Sequence, residues 1–139
     1  MDRPQILIVD DSKEVLTALA RELGDEPYTI FYAGSGEEAL RIVKEDEIQV
    51  IVSDVKMPGM DGFELLDRIK ELYPDMVRVV LSGHPDVKLI LKMVNERGVD
   101  RYLTKPWHGE NVKATILQCL ELFGLRAEVK ELRDKSKSD

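Results

Sequence analysis

The chain has 139 residues, of which 43% are hydrophobic and 34% are charged, and its formal net charge is -7. This length fits one domain of ordinary size, which can bury a core without disulfides or structural metals. Acidic residues outnumber basic residues by 27 to 20, which argues against a surface built mainly to bind nucleic acid.

The cysteine content and the apolar segments bear on location. Cys119 is the single cysteine of the sequence, so no internal disulfide can form. The first residues, MDRPQILIVDDS, lack an apolar region long enough for a signal peptide, and no segment approaches the length of a membrane span. We therefore expect a cytoplasmic protein without a membrane partner, in which Cys119 is a small core residue.

Strand-like and helix-like segments alternate along the chain. Ser35 with Glu38, and Asp61 with Glu64, have the spacing that caps the first turn of a helix. Gly24 is expected to end the first helix in the left-handed conformation. Five short apolar runs are predicted to be strands, and each is followed by helical spacing: residues 5–9, 28–33, 50–54, 78–81 and 101–103.

Five repeats of strand and helix with short connections predict an α/β fold. Such alternation favours a doubly wound parallel sheet with helices on both faces, joined by right-handed crossovers. We expect one domain over residues 1–125, with a last helix that starts near Glu110. Residues 126–139 are predicted to extend that helix and to end in a frayed KSKSD tail, or to lead into an output domain outside this chain.

Acidic side chains follow the first and third predicted strands. Asp10 and Asp11 end the first strand, and Asp54 ends the third. In a sheet that reverses its winding beside the first strand these strands are neighbours, so the three carboxylates converge. Like charges so close together favour a bound cation, and Mg²⁺ is usually held by carboxylates. With Lys105 at the end of the fifth strand, the set suits phosphoryl transfer onto an aspartate.

Four segments in this order carry a family resemblance: LIVDDS, SDVKMPGMDG, the LSG that ends at Gly83, and the YLTKP of residues 102–106. Across residues 4 to 125 the sequence resembles the receiver domains of two-component response regulators, and among them the chemotaxis-regulator type. The resemblance implies a flavodoxin-like fold with five parallel strands in the order 2-1-3-4-5. It also implies a cis bond between Lys105 and Pro106.

The resemblance assigns roles to individual residues. Asp54 would be the phosphoacceptor, and Mg²⁺ would be held by Asp10, Asp11, Asp54 and the backbone carbonyl of Lys56. Ser82 and Lys105 would engage the phosphoryl group. Further residues would switch or tune the domain, with Ser82 and Tyr102 as the switch pair and Lys56 and His84 as rate-tuning positions.

The implied function is a signalling switch. A sensor histidine kinase would transfer its phosphoryl group to Asp54, and the surface of the fourth helix, fifth strand and fifth helix would then change its partners or dimer contacts. The domain would not be an enzyme in the ordinary sense, although it would assist its own phosphorylation and dephosphorylation. The main alternative is an unphosphorylated receiver-like scaffold or dimerisation module.

Two helices carry apolar residues that suggest partner surfaces. In the fourth helix the spacing predicts an inward stripe of Val87, Ile90, Leu91 and Val94, which leaves Leu89 and Met93 outside. In the last helix an inward stripe of Val112, Ile116, Cys119 and Phe123 gives way to a second apolar series. This series has the three-four-three spacing of a heptad seam for a second copy of the chain: Leu122, Leu125, Val129 and Leu132.

Weaker interpretations compete with parts of this assignment. Asp10 or Asp11 could be only the cap of the first helix. An aspartate-nucleophile phosphatase needs a second acid two residues after its nucleophile, where this chain has Lys56. A dinucleotide site is disfavoured because the GSG of residues 34–36 lacks the third glycine of that motif.

Overall fold

The computed structural model describes residues 3–83 and 87–137. Within these residues, strands and helices alternate as the sequence predicts, and the element boundaries fall close to the expected ones. The elements in chain order are β1 (Gln5–Val9), α1 (Lys13–Leu23), β2 (Thr29–Ala33), α2 (Gly36–Glu45), β3 (Val50–Asp54), α3 (Gly62–Leu72), β4 (Val77–Ser82), α4 (Val87–Arg97), β5 (Arg101–Thr104) and α5 (Gly109–Lys137).

The sheet confirms the predicted topology. Its strands are all parallel and follow the order β2-β1-β3-β4-β5. Val9 pairs with Ser53, and Asp54 pairs with Leu81 in the next strand. The ends of β1, β3 and β4 are therefore level, and the residues that follow them share one edge of the sheet. The bond between Lys105 and Pro106 is cis, as expected.

The central strands β1, β3 and β4 are buried because each of them contributes to two cores. Successive strand residues point to opposite faces, so Leu7 and Ile51 belong to the core under α2, α3 and α4. Ile6 and Val50 belong to the core under α1 and α5, together with Cys119. This two-sided burial explains why the strands read as continuous apolar runs. Cys119 is a core residue as predicted, and burial raises its thiol pKa to about 11.

The predicted caps of α2 and α3 are confirmed. The Ser35 hydroxyl accepts a hydrogen bond from the Glu38 amide at 3.1 Å. The Asp61 carboxylate accepts one from the Glu64 amide at 2.8 Å. Each helix therefore begins at a fixed residue, and α3 begins eight residues after the end of β3 at Asp54.

The predicted left-handed end of α1 is wrong. Gly24 has φ -63° and ψ -28°, which is ordinary right-handed backbone. The chain continues as a turn, in which the amide of Glu26 donates to the carbonyl of Leu23 at 3.2 Å. Gly98, in contrast, has φ 66° and directly follows α4. Both glycines follow a helix that leads back into the sheet, so a glycine at this position does not by itself predict a left-handed end.

The inward face of α4 differs from the prediction. Met93 is only 3% exposed and lies in the core with Leu66 and Val99, whereas Leu91 and Val94 are 55% and 42% exposed. Helix α4 has apolar residues around most of its circumference, so the spacing fits two faces. The turn after the helix selects the face that contains Met93. The Val99 amide donates to the Met93 carbonyl at 3.2 Å, and this contact brings the Met93 face toward the core.

Helix α5 confirms its predicted inward stripe and continues beyond the sheet. Its 29 residues extend for ~43 Å. Val112 and Ile116 are buried, while Leu125 is exposed. Leu122 was expected to face away from the domain, but it packs against the core because α5 still lies on the sheet at this turn. We expected the KSKSD segment to be frayed, yet α5 includes its first three residues.

The remaining apolar side chains of the heptad series leave the domain surface. Val129 and Leu132 are exposed, as is Leu125. The seam free of the core therefore consists of three residues rather than four.

In the part of the chain that the structure describes, no helix combines the length and the apolar character needed to cross a membrane.

The corrected orientation of α4 can be tested by truncating one residue of each face. We expect Met93→Ala to lower the free energy of unfolding by about 2 to 4 kcal/mol, because it empties part of a closed core. Val94→Ala should change it by less than ~0.5 kcal/mol, because that side chain is exposed. Urea unfolding followed by circular dichroism measures both. A larger loss for Val94→Ala would restore the face that the spacing predicted.

Candidate functional site

Carboxylates converge at the edge of the sheet where β1 and β3 end. Asp10, Asp11 and Asp54 each offer an oxygen, and these oxygens all lie within 4.8 Å of one another. Asp10 is fully buried, Asp54 is nearly so, and Asp11 is exposed. The convergence predicted from the sequence is therefore present, and the cluster has one side open to solvent.

Asp10 is fixed by main-chain and side-chain contacts. Its Oδ1 accepts from the Ser12 amide at 2.9 Å, and its Oδ2 lies 2.7 Å from Lys105 Nζ. The cap of α1 is Ser12, whose hydroxyl accepts from the Val15 amide at 3.3 Å. The interpretation of Asp10 or Asp11 as a mere helix cap is thus wrong, and both carboxylates are left for the site.

Lys105 bridges the two buried carboxylates. Its Nζ lies 2.7 Å from Asp10 Oδ2 and 3.4 Å from Asp54 Oδ2. Its amide donates to the Ser82 carbonyl at 2.9 Å, so the start of its side chain is held at the end of β4. Burial lowers the pKa of Lys105, but the hydrogen bond and charge of Asp10, together with Asp54, outweigh burial and raise it. The ammonium is a permanent positive charge in this cluster.

The surroundings of Asp54 disfavour the charged form of its carboxylate. Burial raises its pKa above the ordinary value, and the neighbouring charge of Asp10 raises it further. Lys105 and a 2.8 Å hydrogen bond from the Val55 amide act in the opposite direction without cancelling this rise. One ammonium therefore does not balance the three carboxylates. A hard divalent cation with oxygen ligands fits this donor set.

The loop after β3 is packed tightly beneath Asp54. A Cβ on Gly62 would lie 1.9 Å from the Asp54 carbonyl oxygen, and the Gly62 amide donates to the Val55 carbonyl at 2.9 Å. Met60 is buried and would collide with a Cβ on Gly36 at 2.9 Å. Gly62 is therefore the residue against which the backbone of Asp54 packs, and no side chain fits at this position.

The other predicted site residues lie around this cluster with different degrees of contact. Lys56 follows β3 and has an exposed side chain, whereas Ser82 ends β4 and is partly buried. Tyr102 lies on β5 with its ring exposed. His84 lies outside the described residues, so its predicted tuning role has no structural counterpart here.

Comparison with known proteins gives consistent matches. Residues 6–117 match the family described as Response regulator receiver domain. The chain is 35% identical over 127 residues to the hydrogenase transcriptional regulatory protein HoxA of Cupriavidus necator, which covers 91% of this chain and 26% of that protein. It is 27% identical over 130 residues to the C4-dicarboxylate transport transcriptional regulatory protein DctD of Rhizobium meliloti, covering 94% and 28%. The chain thus spans little more than a quarter of these curated relatives.

Solved structures with the same fold have similar sequences. The signal receiver domain of an HD domain-containing protein from Pseudomonas fluorescens Pf-5 has a TM-score of 0.86 and 38% identity, covering 92% of this chain and 94% of that one. NtrX from Brucella abortus also has a TM-score of 0.86, with 28% identity and 95% and 30% covered. Receivers of this family are signalling domains of two-component systems, in which phosphorylation and Mg²⁺ are typical. The chain belongs to the response regulator receiver domain family.

Proposed function

We propose that this chain is a phosphorylation-dependent switch that accepts a phosphoryl group on Asp54 from a sensor histidine kinase. The observation that carries the proposal is the pairing of Lys105 Nζ with Asp10 and Asp54, at 2.7 and 3.4 Å, beside the exposed Asp11. A nucleophilic carboxylate, a fixed cation and an acidic pocket with one open side are the groups that such a transfer needs. Family membership supports the same assignment.

The acidic cluster is proposed to hold Mg²⁺. Its protein ligands would be oxygens of Asp10, Asp11 and Asp54 and the backbone carbonyl of Lys56. The mutual separation of the carboxylate oxygens, within 4.8 Å, supports this ligand set. When bound, the ion would supply positive charge that neutralises the phosphoryl oxygens in an in-line transfer.

The chain's own residues would carry out the remaining steps. An oxygen of Asp54 attacks the phosphorus while the bond from phosphorus to the donor nitrogen breaks, and that nitrogen keeps the electron pair. Lys105 then pairs with a phosphoryl oxygen, which is within reach because its Nζ already lies 3.4 Å from Asp54. Ser82, which ends β4 at the same edge, is proposed to donate its hydroxyl hydrogen to another phosphoryl oxygen.

The switch would follow from these new contacts. Ser82 and Tyr102 lie on the adjacent strands β4 and β5. Movement of Ser82 toward the phosphoryl group would make room for the exposed Tyr102 ring to turn inward. This changes the surface formed by α4, β5 and α5, where Leu91 and Val94 are exposed. The equilibrium shifts because the phosphoryl group interacts better with one of the two states. Lys56, and His84 outside the described residues, remain proposed tuning positions.

Helix α5 is proposed to pair with a second copy of the chain through the exposed seam. Val129 would occupy an a position between Leu125 and Leu132 at d positions, a distribution typical of parallel two-stranded coiled coils. In that register Glu128 at g faces Arg133 at e of the second copy. An antiparallel pair would instead bring like charges together, so the charges favour the parallel arrangement.

The domain organisation and location follow as proposals. Residues 1–125 would form the receiver, and residues 126–139 an extension that leads toward an output domain. The greater length of the relatives supports this output domain as a partner. The receiver is proposed to act in the cytoplasm without direct contact with nucleic acid, in line with its net charge of -7.

The phosphotransfer proposal predicts a mass change. After incubation with acetyl phosphate, intact-mass spectrometry should detect the gain of one phosphoryl group only when Mg²⁺ is present. Asp54→Asn should abolish the gain. Asp61→Asn, in the same loop, should keep it because asparagine also caps a helix. If the wild-type chain gained no mass and formed no beryllofluoride complex, the scaffold alternative would replace the switch.

The raised pKa of Asp54 predicts that the wild-type chain and Asp54→Asn differ in stability by an amount that depends on pH. Because its folded-state pKa is raised, the folded chain binds more protons than the unfolded chain between the ordinary and the raised pKa, and stability falls as pH rises through that window. In EDTA at pH 7, Asp54→Asn should raise the free energy of unfolding by more than the ~0.5 kcal/mol typical of surface substitutions. The gain should shrink below pH ~4.

The measurement for this difference is calorimetric unfolding over a pH series, with and without Mg²⁺. Added Mg²⁺ should stabilise the wild-type chain more than Asp54→Asn, since a ligand that binds only the folded state raises its stability. Asp61→Asn should follow the wild-type chain throughout. Equal stability of the wild-type chain and Asp54→Asn at every pH would show that the acidic cluster is not strained.

The pairing proposal predicts a concentration-dependent molecular mass. Sedimentation equilibrium should detect a dimer that Val129→Glu disrupts, because the substitution places a charge in the seam. Ala127→Glu, on the opposite side of the same helix, should not. Glu128→Lys should weaken the dimer, and Glu128→Lys combined with Arg133→Glu should restore it if the helices are parallel. A monomer at high concentration in both phosphorylation states would contradict the proposal.

A further inference from the structure

A buried arginine lies near the start of β4, at the opposite end of that strand from Ser82. Arg78 is only 5% exposed. Its guanidinium donates to the carbonyls of Leu66 and Arg97, each at 3.2 Å, and to the carbonyl of Gly98. Arg78 therefore caps the carboxyl end of α4 with a buried positive charge. Its position is fixed because a buried cation that loses its acceptors is strongly destabilising.

One carboxylate joins this arginine to helix α5. Asp100 Oδ2 accepts from the Arg78 amide at 2.9 Å, and the Asp100 amide donates to the Arg78 carbonyl at 2.9 Å. The same carboxylate accepts two hydrogen bonds from Arg126, at 2.5 Å and 3.3 Å. Such bidentate pairs are directional and stronger than single ion pairs. Asp100 is therefore bound to the main chain of β4 and to the side chain of a residue on α5.

Arg126 marks the turn where α5 leaves the domain. Phe123, one turn earlier, still packs on the core, whereas Val129 and Leu132 are exposed. One turn further on, Lys130 lies 3.9 Å from Asp75 in an exposed pair, which contributes little. The contact between Asp100 and Arg126 is thus the strong polar attachment at the base of the projecting segment, here residues 126–137.

The two arginines share the charge of Asp100. Burial lowers the pKa of Arg78, the charge of Asp100 raises it, and the charge of Arg126 lowers it. The Arg78 guanidinium is hydrogen-bonded to main-chain carbonyls, and this leaves the carboxylate of Asp100 for Arg126. If the end of α4 moved away, Arg78 would lose the carbonyls of Arg97 and Gly98, and Asp100 would be the nearby anion that replaces them. Arg126 would then lose its partner.

We propose that Asp100 is a releasable anchor that attaches the base of the projecting segment of α5, at Arg126, to the sheet for as long as Arg78 remains bound to the end of α4. The proposal rests on the proposed switch in one respect, which is that phosphorylation of Asp54 changes the surface formed by α4, β5 and α5, to which Arg78 contributes through the end of α4. The anchor itself requires no phosphorylation. A continuous series of contacts connects the end of α4 to α5. The carbonyls at the end of α4 accept from Arg78, the Asp100 carboxylate accepts from the Arg78 amide, and Arg126 donates to the same carboxylate.

Hydrogen exchange of the amides of residues 127–135 tests the anchor in the unphosphorylated chain. Asp100→Asn should accelerate their exchange by about tenfold, because it removes one charge of a bidentate pair while an amide oxygen still accepts from Arg78. Arg126→Gln breaks the same contact from α5 and should have the same effect, which covers the case in which Asp100→Asn fails to fold. Lys130→Gln should change exchange by less than about twofold.

The exchange is measured at concentrations at which sedimentation detects only monomer, so that pairing of two copies does not affect the rates. Unchanged exchange of residues 127–135 in both Asp100→Asn and Arg126→Gln would overturn the anchor. Acceleration that extends equally to the amides of β1 and β3 would also overturn it, because the variants would then act through global stability.

The release is tested separately with beryllofluoride, with intact-mass phosphorylation measured on the same preparations. Beryllofluoride should accelerate exchange of residues 127–135 in the wild-type chain and add little in Asp100→Asn. If the complex forms and exchange of the wild-type chain is unchanged, release is wrong. If neither phosphorylation nor the complex occurs, the proposed function has failed, and the comparison of unphosphorylated variants still decides the anchor.

Discussion

The rest of the structure holds in place a cluster of carboxylates that repel one another at one edge of the sheet. Asp10 and Asp54 are buried within reach of each other, and a single ammonium, that of Lys105, lies between them. Such a cluster is poor for stability and useful for chemistry, because any added cation or phosphoryl group changes the balance of charge. The buried strands, the glycine under Asp54 and the lysine after β5 all serve to hold these groups in place. The site is strained by charge rather than by backbone geometry.

The fold tolerates this strain because the rest of the sheet is apolar on both faces. The strands β1 to β4 each contribute to two cores, and the level strand ends of β1, β3 and β4 leave the polar groups no place except the edge. Gly62 extends the same constraint into the loop, since any side chain there would displace the Asp54 carbonyl. Position is thus set by packing, and reactivity by charge.

Sequence alone could predict what is local or strongly patterned. The strands, the caps at Ser35 and Asp61 and the carboxylates at strand ends follow from periodicity and spacing, and the strand order followed from the family resemblance. The face of α4 could not be predicted, because apolar residues around the helix fit two orientations and the turn at Val99 selects one. Leu122 was misassigned because spacing does not show where a helix leaves the sheet. Arg78 and Asp100 gave no signal, since their contacts join residues 12 to 26 positions apart.

The projecting segment and the proposed pairing seam meet in one side chain. In the register that places Val129 at a, Arg126 occupies an e position, where a parallel pair would bring it to Glu121 at g of a second copy. In the monomer Arg126 is bound to Asp100 instead. The guanidinium cannot satisfy both carboxylates with bidentate geometry, so anchoring and pairing compete for it. If the chain pairs as proposed, release of Arg126 at the base of α5 would favour association, and association would in turn favour the state in which Asp100 has turned to Arg78.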